Sequence, residues 1–163
     1  MKPIYQKLII LFLLLQGSLL AHCQVPCGIY NDAARIVQIQ EDFSTIQKAM
    51  NKIKELSEQQ DATSMNQMTR WILTKEEHAS KIQKVVSDYF LTQRIKVKTE
   101  GPEYDLYVKQ TISLHQILVS AMKCKQTVDL KNVDYGLDLI ESFIDLYFDT
   151  HGKDHIKILS GTK

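Results

Sequence analysis

The feature that most constrains the fold of this chain is a run of apolar residues, Ile36, Ile39, Phe43, Ile46, Met50, Ile53 and Leu56, spaced three or four apart. Only a helix gathers that spacing onto one face, and a stripe this long must be buried against other helices. Asp32 is the predicted N-cap, and Gln59-Gln60-Asp61 ends the pattern. A second helix is predicted from about Ser64 to Arg94, with Met65, Met68, Trp71, Ile72, His78, Ile82, Val85 and Tyr89 near one face. Gly101-Pro102 closes that region. A third covers Glu103 to Lys125, with Leu106, Tyr107, Leu114, Ile117, Leu118 and Met122 inward. A loop at Val128-Asp129-Leu130 leads to a fourth, Asn132 to Thr150, carrying Leu137, Ile140, Phe143, Ile144, Tyr147 and Phe148. Gly152 is its predicted stop, and the tail, residues 153–163, has no strong pattern. Strand signals and repeats are lacking, and the connections are short. The expected fold is all-α, an antiparallel four-helix bundle over residues 31–152.

Residues 1–21 stand apart from this pattern. Lys2 and Lys7 precede an uninterrupted apolar run, Leu8 to Leu15, then a polar break at Gln16-Gly17-Ser18 and a small residue at Ala21. The run is short for a membrane span, and the segment reads as a cleaved export signal. The mature protein is then expected in the periplasm or outside the cell, with no stable membrane association. Cleavage after Ala21 leaves 18 basic against 19 acidic residues, a formal charge of −1. With no basic run, the chain lacks the electrostatic footprint of a nucleic-acid binder. Its chemistry must come from a site and not from a field.

The bundle helices offer few candidates. A di-iron centre needs Glu-x-x-His on two helices, yet the residues three before His78, His115, His151 and His155 are Lys75, Ile112, Phe148 and Gly152. No His-Glu-x-x-His, Cys-x-x-Cys or glycine-rich phosphate loop occurs. The cluster Glu76-Glu77-His78 is expected partly on a solvated face. Cys124 falls in the third helix and reads as a buried, inert thiol.

The chemistry gathers in the hook at residues 22–30, His22-Cys23-Gln24-Val25-Pro26-Cys27-Gly28-Ile29-Tyr30. Cleavage after Ala21 would make His22 the N-terminus, whose amine has an ordinary pKa of about 7.7–8 and yields its proton to a metal near neutral pH. The amine, the Cys23 amide nitrogen and the Cys23 thiolate form two adjacent five-membered chelates by covalent geometry alone. Pro26 constrains the loop that returns Cys27 to the fourth planar position, and the His22 ring reaches the ion from above. A planar N/S set favours Ni(II) or Cu(II) over tetrahedral Zn(II). Two thiolates tend to reduce Cu(II), so the set selects nickel. Thiolate and amide donors bring Ni(III)/Ni(II) into reach, and the imidazole supports Ni(III), which makes this a one-electron redox site.

The same residues admit other readings. Cys23 and Cys27 could close a small disulfide or work as a reversible redox pair, although no thioredoxin-like scaffold accompanies them. Leu20-Ala21-His22-Cys23 faintly resembles a lipobox, which would make the protein a membrane-anchored helical binding module with Cys23 lipidated. That reading leaves Pro26-Cys27-Gly28-Ile29-Tyr30 without a purpose.

His-Cys-x-x-Pro-Cys-Gly-x-Tyr at a processed N-terminus, followed by a four-helix bundle, resembles nickel-containing superoxide dismutase. Asn66-Gln67-Met68-Thr69-Arg70-Trp71, Thr74-Lys75-Glu76-Glu77-His78 and Ser87-Asp88-Tyr89-Phe90 also resemble that family's second helix. The resemblance implies disproportionation of superoxide to O2 and H2O2 by Ni(III)/Ni(II) cycling, with one nickel ion per subunit. It implies ligation by the His22 amine and imidazole, the Cys23 amide and thiolate, and the Cys27 thiolate. It further implies a homohexamer whose hooks are ordered by neighbouring subunits, and places Tyr30 and Tyr89 among the tyrosines lining access to the metal. Gln24 stands where many members have Asp. Val37 and Thr74 align with positions where some carry a Glu and an Arg that support the imidazole.

Overall fold

Asn31 opens the first helix. Its φ of −131° keeps it outside the helix, and its side chain accepts a hydrogen bond from the Ala34 amide at 3.0 Å. Asp32, the predicted cap, is instead the first helical residue, and its carboxylate is committed elsewhere. The computed structural model describes residues 30–161, so the predicted signal and all of the hook except Tyr30 lie outside the described residues.

Five helices follow. They are α1 (Asp32–Ser57), α2 (Ala62–Lys84, continuing without a break as a π-helical stretch, Val85–Arg94), α3 (Tyr104–Gln126), α4 (Lys131–Tyr147) and α5 (Thr150–Ser160). Among the described residues there is no strand. Asp61 caps α2 by accepting from the Thr63 and Ser64 amides, at 2.9 and 3.0 Å.

Cross-helix contacts show that α1 to α4 run up and down in turn. From α1 to α2, Asp32 meets Tyr89, Asp42 meets His78, and Lys48 lies over the Trp71 ring, so numbers rise on one helix as they fall on the other. From α3 to α4, Gln110 reaches the Leu146 carbonyl and Ser120 the Asn132 carbonyl. Lys75 and Gln83 of α2 reach the Cys124 and Leu118 carbonyls of α3. Asp32 and Gln40 of α1 reach Tyr147 and Glu141 of α4, which closes the bundle. The all-α antiparallel bundle expected from the sequence is the observed fold.

The core holds the α1 stripe from Ile36 to Ile53 together with Ile82, Val86, Phe90, Leu114, Ile117, Ile140 and Phe143. Gly136 allows α4 to approach closely, since a Cβ there would collide with the buried Phe43 ring. Cys124 is buried, as its helical position predicted, and burial pushes its thiol up to about 11.

Three expectations need correction. Met65, Ile72, Leu106 and Met122 were predicted inward but are exposed. Ile82 and Tyr89 are buried as predicted, while earlier in α2 the buried residues are Ser64, Lys75 and Ala79. Lys75 is buried there because its Nζ donates to the Cys124 carbonyl at 2.8 Å, to the Lys125 carbonyl and to Glu76. Gly152 does not stop the fourth helix, which ends at Tyr147. Its amide donates to the Asp149 cap of α5 at 2.8 Å, and a Cβ there would sit 2.6 Å from Phe148 Cδ1. The tail that showed no pattern is therefore mostly α5, which packs on α1 and buries only Ile156. No helix among the described residues is long and apolar enough to cross a membrane.

Candidate functional site

His22, Cys23 and Cys27 lie outside the described residues. Tyr30 is the one described residue of the N-terminal unit, 1–30, while Tyr89 belongs to the second, Asn31–Lys163. With cleavage after Ala21, His22, Cys23 and Cys27 would offer an amine, an amide, two thiolates and an imidazole, a donor set whose chemistry suits nickel.

Within the bundle, the sequence-predicted Tyr89 stands in a cluster built on Asp32. Asp32 Oδ1 accepts from the Tyr89 hydroxyl at 2.6 Å. Oδ2 accepts from the Tyr147 hydroxyl at 2.7 Å and from Arg94 Nε and a terminal nitrogen at 3.0 and 2.8 Å. Arg35 adds its guanidinium over the Tyr89 ring, 5.3 Å from the centroid. One carboxylate thereby ties together α1, the π-helical stretch and α4.

The π-helical stretch makes this convergence workable. In an α-helix, Tyr89 and Arg94, five residues apart, would be separated by about 1.4 turns and point to different sides. In an i→i+5 helix that spacing is close to one turn, and both side chains reach the same residue. Thr92 and Gln93 side chains bond to carbonyls five residues back, Ser87 and Asp88, along the same stretch.

Charge and burial set the protonation of the cluster. Burial alone would raise the Asp32 carboxyl, but hydrogen bonds from Arg94, Tyr89 and Tyr147, with the Arg94 charge, hold it below the ordinary aspartate range. Burial and the Asp32 carboxylate push Tyr147 up to about 12 and Tyr89 further. Tyr89 is thus a neutral hydroxyl that donates a hydrogen bond to the ionised Asp32. Asp32 as a hub, Arg94 and Tyr147 were not singled out from the sequence. The only available signal was the position of Asp32 two residues after the hook.

The Glu76-Glu77-His78 cluster separates into three unrelated pairs. Glu76 meets Lys75 and Glu77 meets Lys81, each at 2.8 Å, while His78 Nδ1 lies 2.6 Å from Asp42 Oδ1. Asp42 Oδ2 is buried without a hydrogen-bond partner among the described residues. Burial raises the Asp42 carboxyl despite His78 and Lys81. Among the described residues, no three His, Cys, Asp or Glu side chains are grouped to hold a metal ion.

The described residues form an all-α antiparallel bundle, and the sequence before it carries His22, Cys23 and Cys27. The family model for nickel-containing superoxide dismutase matches residues 18–151, which takes in the hook and α1 to α4. The chain belongs to that family and is a nickel-containing superoxide dismutase, an oxidoreductase. No curated protein and no solved structure matches it.

Proposed function

We propose that residues 1–21 are removed on export and that the new N-terminus binds one nickel ion per subunit. The ligands are the His22 amine and imidazole, the Cys23 amide nitrogen and thiolate, and the Cys27 thiolate. Nickel held there supplies a one-electron Ni(III)/Ni(II) couple by which two superoxide ions and two protons become O2 and H2O2. The Cys23 and Cys27 thiolates and the Cys23 amide would donate electron density to the ion, and the His22 imidazole would support its oxidised state. Pro26 would constrain the loop between the two cysteines.

Tyr30 and Tyr89 hold ordered water and restrict entry to small species. Tyr89 serves as a wall and not as an acid, because its hydroxyl stays protonated and bonded to Asp32. The active assembly is a homohexamer, free of the membrane after processing.

The observation that carries this reading is the family match across the hook, whose donor set suits nickel. Native mass spectrometry of the protein purified from its own host tests it. The expected mass is six chains beginning at His22, each with one nickel. Chains beginning at a lipidated Cys23 and lacking nickel would overturn it.

A further inference from the structure

We propose that His151 and His155 on α5 form an exchangeable site for a divalent first-row transition ion, nickel, copper or zinc. Two imidazoles come from the protein, and water fills the remaining positions. Both residues belong to the bundle unit, and the site stands whether or not the hook holds nickel.

His151-Gly152-Lys153-Asp154-His155 sets two imidazoles four residues apart in α5. Residues at that spacing are neighbours on one helix face, with Cβ atoms about 5–6 Å apart. Helices of the His-Glu-x-x-His type present two ligands to one zinc ion by the same spacing. Gly152 stands where that motif carries its glutamate base, so this pair is equipped to hold an ion and not to hydrolyse a substrate. His151 and His155 line one surface pocket of about 330 Å³ together with Asp154 and Ile158. No hydrogen bond or ion pair engages either imidazole among the described residues, whereas His78 is tied to Asp42 at 2.6 Å. Folding therefore leaves the ring nitrogens of α5 unspent.

The surrounding charges permit a cation. Lys153 is drawn to Asp145 at 2.7 Å and Lys157 to Asp154 at 3.1 Å. The positive end of the α5 dipole opposes an ion beside His151, and the Asp149 carboxylate at the cap counters it. The Asp154–Lys157 pair is exposed and contributes little, so Asp154 is free to turn toward the ion or its water. Imidazole suits nickel, copper and zinc, while magnesium prefers oxygen ligands. Two protein ligands are fewer than structural or catalytic zinc sites use, which keeps the ion exchangeable. The superoxide dismutase match ends at residue 151, so His155 lies beyond it and the match does not account for the pair.

Diethyl pyrocarbonate labelling of the full-length protein, titrated with nickel chloride and read histidine by histidine by peptide mass spectrometry, tests this. His115, exposed and without a histidine four residues away, is the internal control. His151 and His155 should become protected together, at a nickel concentration at least about tenfold below that protecting His115. That factor is the low end of what is lost with a group that merely supports a ligand. His155→Gln should shift His151 to the concentration of His115, His151→Gln should do the same to His155, and magnesium chloride should protect neither. Protection no better than that of His115, or unchanged in either variant, would overturn the proposal. Nickel at the hook does not enter the readout, because each histidine is followed separately.

Discussion

Lys75 Nζ donates to the Cys124 carbonyl at 2.8 Å, carrying a buried ammonium from α2 to the last turn of α3. The last carbonyls of a helix lack intrahelical donors, and Lys75 serves those of Cys124 and Lys125 together. Lys75→Met keeps the stem and leaves both carbonyls without that donor. A loss of about 2–3 kcal/mol is expected, the scale of hydrogen bonds to a charged group. Urea unfolding measures it, and an unchanged midpoint would mean that water replaces the ammonium at no cost.

Gly136 sets two effects against each other. Alanine would improve helix propensity by about 1 kcal/mol. Its Cβ would also strike the fully buried Phe43 ring and crowd the Ser120 hydroxyl, and overpacking costs about 1–3 kcal/mol. Phe43 has no room to swing aside, so Gly136→Ala is expected to lower the melting temperature. A rise would show that α4 can move outward.

Asp32 makes stability depend on acid in a defined direction. Its folded pKa lies below the ordinary 3.8, so the unfolded chain takes up the proton first. The stabilisation is fully present above 3.8 and is lost as pH falls through the lower folded value. Asp32→Asn should therefore be less stable than the parent at pH 6, with the gap closing at still lower pH than 3.8. Denaturant unfolding of both proteins across that range measures the gap, and a difference that does not vary with pH would refute the ionic account.

The hook substitutions separate binding from turnover. Cys23→Ser or Cys27→Ser should abolish nickel retention and activity, because the two thiolates set the couple. His22→Gln should keep nickel through amine, amide and thiolates while its rate falls at least about tenfold. A residue left in front of His22 should inactivate the enzyme by displacing the amine. Metal analysis beside a superoxide assay measures all three, and full activity in any of them would contradict the proposed ligand set.

The bundle was legible wherever side chains follow burial in a simple period. The α1 stripe from Ile36 to Ile53 reads directly, because every member is apolar and faces inward. The inward row of α2 was legible at Ile82 and Tyr89 and misread nearer its start, where Lys75 is buried because distant carbonyls await its ammonium. The fifth helix was missed because Thr150–Ser160 buries a single apolar residue, Ile156, and leaves Ile158 and Leu159 exposed. The start of α1 was misplaced by one residue because Asn31 and Asp32 are both good caps, and the choice depends on donors at positions 89, 94 and 147. All of the hook except Tyr30 lies outside the described residues. The Asp32 cluster was hidden, since no local pattern announces an i→i+5 helix.

The alternating up-and-down order of the four long helices also bears on how the scaffold forms. Each packs chiefly on its neighbour in sequence, and chains rich in such local contacts fold in roughly microseconds to milliseconds. Among the described residues the core runs from Ala33 to Ile156 and includes none of the proposed hook ligands, so its packing owes nothing to the metal.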